Sequence, residues 1–196
     1  MNIELGPVDR ITADAIGPPG ERTFFIQGRK DDRIVSVLVE KQQVQLLAAS
    51  VVDILTRIAK VTGEGPAEEA MALDEPVIPE WRVGRLEISY LEDDDLVVLE
   101  AEELVPEQEG DDDDGDEGPP LGAGAVLRPG PDAPDETVEP SRVRFYATRE
   151  QMLALARHGA EVCSRGRPIC RFCEQPMDPE GHICAKMNGH RSLEDE

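Results

Sequence analysis

Aromatic side chains are scarce in this chain: one Trp, two Tyr and four Phe among 196 residues. That scarcity excludes a core of stacked rings. The hydrophobic share of 39% still suffices for one buried core plus an appendage, built mostly from Val, Ile, Leu and Ala. Positive charge is also in short supply, with 20 Lys and Arg against 42 Asp and Glu and a formal net charge of −22. Such a surface repels phosphate backbones and anionic lipid heads, which argues against generic nucleic-acid or membrane binding. It suits solubility or a basic protein partner. Long apolar runs are missing, and nothing approaches the roughly 20 residues of a membrane-spanning helix. The opening Met1-Asn2-Ile3-Glu4-Leu5-Gly6-Pro7 has neither the basic nor the apolar segment of a secretory signal, so a cytoplasmic location is the expectation. Cysteine, finally, is absent from most of the chain. All four lie between Cys163 and Cys184, where a disulfide would staple nothing distant; metal binding in a reducing compartment accounts for them better.

What is present is concentrated near the C-terminus. Cys170-Arg171-Phe172-Cys173 is followed by the turn-forming Asp178-Pro179-Glu180-Gly181 and then His182-Ile183-Cys184, four soft or borderline metal ligands within 15 residues. A knuckle at Cys-x-x-Cys turns both sulfurs the same way, and in a short extended segment His182 and Cys184 point to one side. The expected metal ligands are therefore Cys170, Cys173, His182 and Cys184, around a structural Zn2+ in a closed Cys3His site. His190 is a rival to His182 as the fourth ligand, and a cluster of free thiols or a redox Cys-x-x-Cys is the plainer reading. Cys163 reads as a small apolar residue on a helix face. A catalytic deaminase zinc would need His-x-Glu followed by Pro-Cys-x-x-Cys. Here Pro168 stands two residues before Cys170, and His158-Gly159-Ala160-Glu161 has the wrong spacing. Arg157-His158-Gly159 matches the triplet of histidine phosphatases, but it lies within a helical pattern with too little chain after it for the other phosphate-binding groups. No phosphate loop, nucleophile elbow or Ser-His-Asp order is present. No catalytic residue is assigned.

The rest of the chain alternates between strand and helix periods. Thr23 to Gln27 and Ile34 to Val39 read as a hairpin with Asp31-Asp32 at its tip. Val44, Leu47, Ala48, Val51, Leu55 and Ile58 mark one face of a helix from Lys41 to Lys60. Trp81 to Tyr90 and Leu96 to Leu99 form a second hairpin, turning at Glu92-Asp93-Asp94-Asp95. Val143 to Ala147 is a strand, and Thr148-Arg149-Glu150-Gln151 then forms a capping box opening a second helix, with Met152, Leu155, Ala156, Gly159 and Cys163 on its buried face. The segment Val39 to Ala48 can be laid on Ala147 to Ala156, so each half reads as strands followed by one helix. The expected fold is α+β: a mostly antiparallel sheet built from two such halves, with the helices on one face, plus a small C-terminal zinc-binding tail. The expected divisions are residues 1–105, an acidic Pro/Gly-rich disordered insert at 106–140, the final strand and helix at 141–167, and the tail at 168–191. From Ser164 to Arg191 the chain is locally basic, with Arg165, Arg167, Arg171, Lys186 and Arg191; this fits a nucleic-acid or acidic-partner contact, and with Phe172 as its one aromatic it fits better a contact with the chain's own acidic body or with a protein.

The sequence resembles the DUF3090 family, actinobacterial proteins of unknown function, over nearly its whole length. The resemblance rests on Val8-Asp9-Arg10-Ile11-Thr12-Ala13, on Leu38-Val39-Glu40-Lys41-Gln42-Gln43, and on Gly166-Arg167-Pro168-Ile169-Cys170 with Cys173, Asp178 to Cys184 and Asn188-Gly189. It implies a bacterial cytosolic protein and no particular activity. Such proteins usually carry Gly after the second Cys and Pro-Arg after the last ligand. Glu174 and Ala185-Lys186 stand there in this chain, which keeps the ligands and loosens the knuckle turn. The expected function is a non-enzymatic interaction or adaptor module with an unidentified protein partner. The alternative is an enzyme or regulatory subunit with a pocket on the open face of the sheet.

Overall fold

The computed structural model describes residues 1–105 and 139–177, together with His182, Cys184 and Lys186. The acidic insert expected at 106–140 lies outside the described residues up to position 138, as do the Asp178 to Gly181 turn and the alternative ligand His190.

Seven strands and two helices follow in the order β1 (Asn2–Leu5), β2 (Arg10–Ile16), β3 (Thr23–Lys30), β4 (Arg33–Val39), α1 (Lys41–Ile58), β5 (Pro79–Leu91), β6 (Leu96–Glu103), β7 (Arg142–Thr148) and α2 (Arg149–Ser164), with a short 3-10 helix at Glu68–Met71. The fold is α+β, and the strands form one sheet in the order β1-β7-β6-β5-β4-β3-β2. The sheet is mixed rather than purely antiparallel. β4 pairs with β5 in parallel across the α1 crossover, and β1 pairs in parallel with β7. The other four pairings are antiparallel.

Each helix begins where its sequence says it should. At α2 the Thr148 hydroxyl accepts from the Gln151 N–H (3.2 Å), and the Gln151 side-chain oxygen accepts from the Thr148 N–H (2.9 Å). At α1 Gln43 does the same for Glu40 N–H at 2.8 Å. Both glutamines also reach outward. Gln43 Nε2 donates to the Val83 and Gly84 carbonyls, at the start of β5, while Gln151 Nε2 donates to the Val8 and Asp9 carbonyls, just before β2. The two halves, β2-β3-β4-α1 and β5-β6-β7-α2, thus share element order, helix cap and tether. α1 ends at Ala59, whose left-handed φ of 54° stops the helix.

One sheet face buries the core. Ile11, Ala13, Ile26, Val35, Val37, Val97, Leu99, Val143 and Phe145 lie on it, joined by Val44, Leu47 and Val51 of α1 and Met152, Leu155 and Val162 of α2. Phe145 is fully buried between its cross-strand neighbours Leu5 and Leu99. Its ring lies so close to Gly28 of β3 that any side chain there would collide with it. On α2, a Cβ at Gly159 would stand 2.9 Å from Val44, so glycine sets how closely the two helices approach.

The opposite face of β2-β3-β4 carries a buried polar row, Thr12, Gln27 and Ser36, each in register with the next. The segment after α1 crosses this face as a strap. Thr12 donates to the Met71 carbonyl (2.5 Å), Gln27 both donates to and accepts from the Asp74 backbone, and Arg10 pairs with the Asp74 carboxylate at 2.6 Å. Gln27 Nε2 also donates to the Ser36 hydroxyl at 3.0 Å, so each member of the row has a hydrogen-bond partner.

Truncating Phe145 to Ala should cost about 3–5 kcal/mol in urea unfolding, since the ring is central and cannot be replaced by local collapse. Phe172→Ala, at a half-exposed ring, should cost about 0.5 kcal/mol or less. A loss below about 1 kcal/mol for Phe145→Ala would remove that ring from the centre of the core.

Candidate metal centre

Beyond α2 the chain folds into a tight hairpin. The Met177 N–H donates to the Pro168 carbonyl (2.8 Å), Ile169 bridges Pro176, and the Cys170 N–H donates to Gln175 (2.9 Å). The Glu174 N–H closes the tip by donating to the Cys170 carbonyl at 2.8 Å. The Cys-x-x-Cys occupies this tip. There the backbone N–H groups of Cys173 and Phe172 point at the Cys170 sulfur and hold its thiol down to about 6. An N–H directed at sulfur favours the thiolate, which is the form that binds a metal.

The four expected ligands come together. Their donor atoms all lie within 4.8 Å of one another, with Cys170 Sγ 3.9 Å from Cys184 Sγ and Cys173 Sγ 3.0 Å from His182 Nε2. Cys170 and Cys184 are almost wholly buried, at 1% and 0% exposure, yet neither belongs to the main core cluster. Three thiols and an imidazole at this separation can hold a metal ion. Cys163 lies apart, buried in the main core with its sulfur 3.8 Å from the Lys41 carbonyl, as its helical position implied.

The knuckle carries one local conflict. Glu174 adopts a φ of +60°, the left-handed region that glycine occupies without cost. Replacing it by Gly should stabilise the knuckle by about 1 kcal/mol. In a competition with a chelator, Glu174→Gly should retain metal at a higher chelator concentration than the wild type; equal or weaker retention would count against a strained tip.

The Arg157-His158-Gly159 triplet has a structural place. Gly159 admits α1, and His158 is buried at 5% exposure between two carboxylates. Its Nδ1 meets Glu68 Oε1 of the strap at 2.7 Å, and its Nε2 faces Asp14 Oδ1 at 3.5 Å without forming a full hydrogen bond. Asp14, foremost, and then Glu68 raise the imidazole pKa above its ordinary value, against the opposing effect of burial. Sequence reasoning found the histidine and missed both partners, which lie far away in the chain.

A histidine with a raised folded pKa contributes stability that is complete below its unfolded value of about 6.5 and is lost as pH rises through the folded value. The stability gap between wild type and His158→Gln should therefore be largest below about pH 6.5 and shrink above it. A gap that is flat from pH 5 to 9 would show that the imidazole is not charged in the folded state.

The basic residues near the tail are partly engaged with the body: Arg165 pairs with Glu161 (2.6 Å) and with Glu68 (3.7 Å). On the outer face of β5-β6-β7 there is a shallow depression of about 220 Å3 lined by Glu87, Ser89, Glu100, Arg144 and Tyr146. Both carboxylates lining it are paired, Glu87 with Arg85 and Glu100 with Arg144.

A seven-stranded α+β body bearing a C-terminal Cys3His cluster defines the class: an α+β protein with a candidate metal knuckle. The chain belongs to the DUF3090 family, described as proteins of unknown function, whose model matches residues 3–184. The match runs from β1 to the last of the four ligands, so body and knuckle form one family unit. No curated protein and no solved structure matches the chain.

Proposed function

We propose that this is a cytosolic, non-enzymatic protein in which a structural zinc ion fixes the knuckle as a docking surface for a protein partner. The observation that carries the reading is the closed set of four donors within 4.8 Å. Zinc bonds of about 2.3 Å to sulfur place two thiolates of a tetrahedral site about 3.8 Å apart, and Cys170 and Cys184 stand at 3.9 Å. With every position filled by protein, no metal-bound water is left to activate, which favours a staple over a catalyst. The knuckle presents Ile169 at 59% and Phe172 at 38% exposure, with the Arg171 guanidinium 4.8 Å from the Phe172 ring centre. An apolar pair beside a cation suits a protein contact. The paired carboxylates in the outer-face depression favour this reading over an enzyme working there.

Metal analysis of protein purified without chelator should give about one zinc per chain. Cys170→Ser should abolish zinc binding and release the tail while leaving the cooperative unfolding of the body in place, because the knuckle cysteines lie outside the main core. A zinc-free wild type would sink the metal assignment. A Cys170→Ser variant with no cooperative transition would show that knuckle and body are one folding unit. Partners recovered by wild type but not by Phe172→Ala would identify the docking surface, and identical recovery by both would remove it.

A further inference from the structure

β5 is an interior strand of the sheet for only part of its length. β4 runs beside its start, with Ser36 in register with Pro79 and Leu38 with Arg82. β6 pairs along the other side from Val83 to Leu91. Among the described residues, no strand lies on the β4 side of Arg85 to Leu91. Alternate backbone N–H and C=O groups there point away from β6 and need partners. A groove of about 250 Å3 opens along this edge, lined by Gln43, Leu46, Leu47 and Ser50 of α1 and by Gly84 to Ile88 of β5. Leu46, in that lining, is 69% exposed. We propose that this edge pairs with the same edge of a second copy, joining two chains through antiparallel β5 strands.

The other half of the fold covers its equivalent edge. β2 follows the Gln151 tether as Arg85 to Leu91 follow the Gln43 tether. There the strap bridges α2 and β2: Glu68 meets His158, and the Met71 carbonyl accepts from Thr12. The described residues place no such strap between α1 and β5. An unpaired strand edge is a ready template for another strand.

Charge selects a second copy as that strand, and sets the register. Arg85 and Glu87 share the outer face, with Arg85 Nη2 2.7 Å from Glu87 Oε1 and the side chains 68% and 52% exposed. So exposed a bridge contributes little within one chain. In an antiparallel two-fold pair centred on Leu86, each Arg85 stands opposite the other copy's Glu87. Opposite charges directly across a strand pair attract, and like charges repel. Centring on Glu87 would put the two Glu87 carboxylates face to face, and centring on Ile88 would leave Arg85 opposite Leu91. On the other face the Leu86 register brings Leu86 against Leu86, with Leu46 of each α1 beside the joint, so apolar surface leaves water. The net charge of −22 on each chain opposes association at long range, and salt at about 0.15 M screens it beyond roughly 8 Å. The surface shares no residue with the metal knuckle, so the inference goes beyond the docking reading.

The test is sedimentation of the full chain between about 1 and 100 μM in about 0.15 M salt. The mass should shift with concentration from the 21.5 kDa of one chain to twice that value. Arg85→Glu and Glu87→Arg should each weaken the dimer at least about tenfold, because each sets like charges opposite one another. An equimolar mixture of these two variants should regain the wild-type dimer, since every cross-strand charge then meets its opposite. The bridge within each chain stays broken in that mixture, so the regain reports pairing between chains. Leu46→Asp should weaken the dimer as well; all three positions are exposed, so the fold is retained. A chain that stays monomeric throughout, a dimer unmoved by either charge reversal, or a mixture no tighter than its components would overturn the proposal. Slow hydrogen exchange of β5 amides in such a monomer would give the edge to another segment of the chain instead.

Discussion

The whole architecture depends on a short piece of chain. β1 and β2 lie at opposite edges of a seven-stranded sheet, yet only residues 6–9 join them. Seven strands laid flat span about 29 Å, whereas five residue steps reach about 18 Å at most. The sheet must therefore curl until its edges meet. The connector then stitches them together: the Val8 N–H donates to the Tyr146 carbonyl of β7 (2.8 Å) and the Asp9 N–H to the Arg29 carbonyl of β3 (2.9 Å). Curling also brings Phe145 of β7 over Gly28 of β3, which makes the inner face a closed core rather than an open layer. Gln151 locks the same connector to the start of α2, so the second helix is fixed by the closure that it covers.

Elements with a strong local period were legible in the sequence. The stripe from Val44 to Ile58 and the Thr148–Gln151 box located both helices to within a residue or two, and the hairpins at Asp31 and Asp95 were found from their turns. β1 and β2 were not found. β1 is four residues long, and Ala13, Asp14 and Ala15 in β2 are poor strand formers that hold an extended shape because β3 pairs with them. The parallel pairings were illegible for a different reason. Nothing near Ile3 signals that Val143 will lie beside it.

The same divide separates the sites. The four candidate metal donors are encoded within one short segment, and a knuckle needs only local turns to assemble them. The other groupings exist only after folding. His158 meets Asp14 and Glu68 from two other segments. Asp95, at the tip of the β5–β6 hairpin, gathers both carboxylate contacts of Arg149 together with Lys60 and Tyr90, tying the end of one helix to the start of the next.

The pairing of Asn2 with Arg142 sets the order in which this molecule can be completed. During synthesis β1 precedes its partner by 140 residues, a wait on the order of ten seconds at ribosomal speed. Throughout that interval Ile3 and Leu5, which end buried at 4% and 3% exposure, have no strand to lie against. The meander β2-β3-β4 and helix α1 are all made within that time, but the edge-to-edge stitch through Val8 waits for Tyr146. Nascent chains therefore hold a half-built sheet with an open seam, and sealing that seam is a late event governed by distant contacts rather than by local propensity.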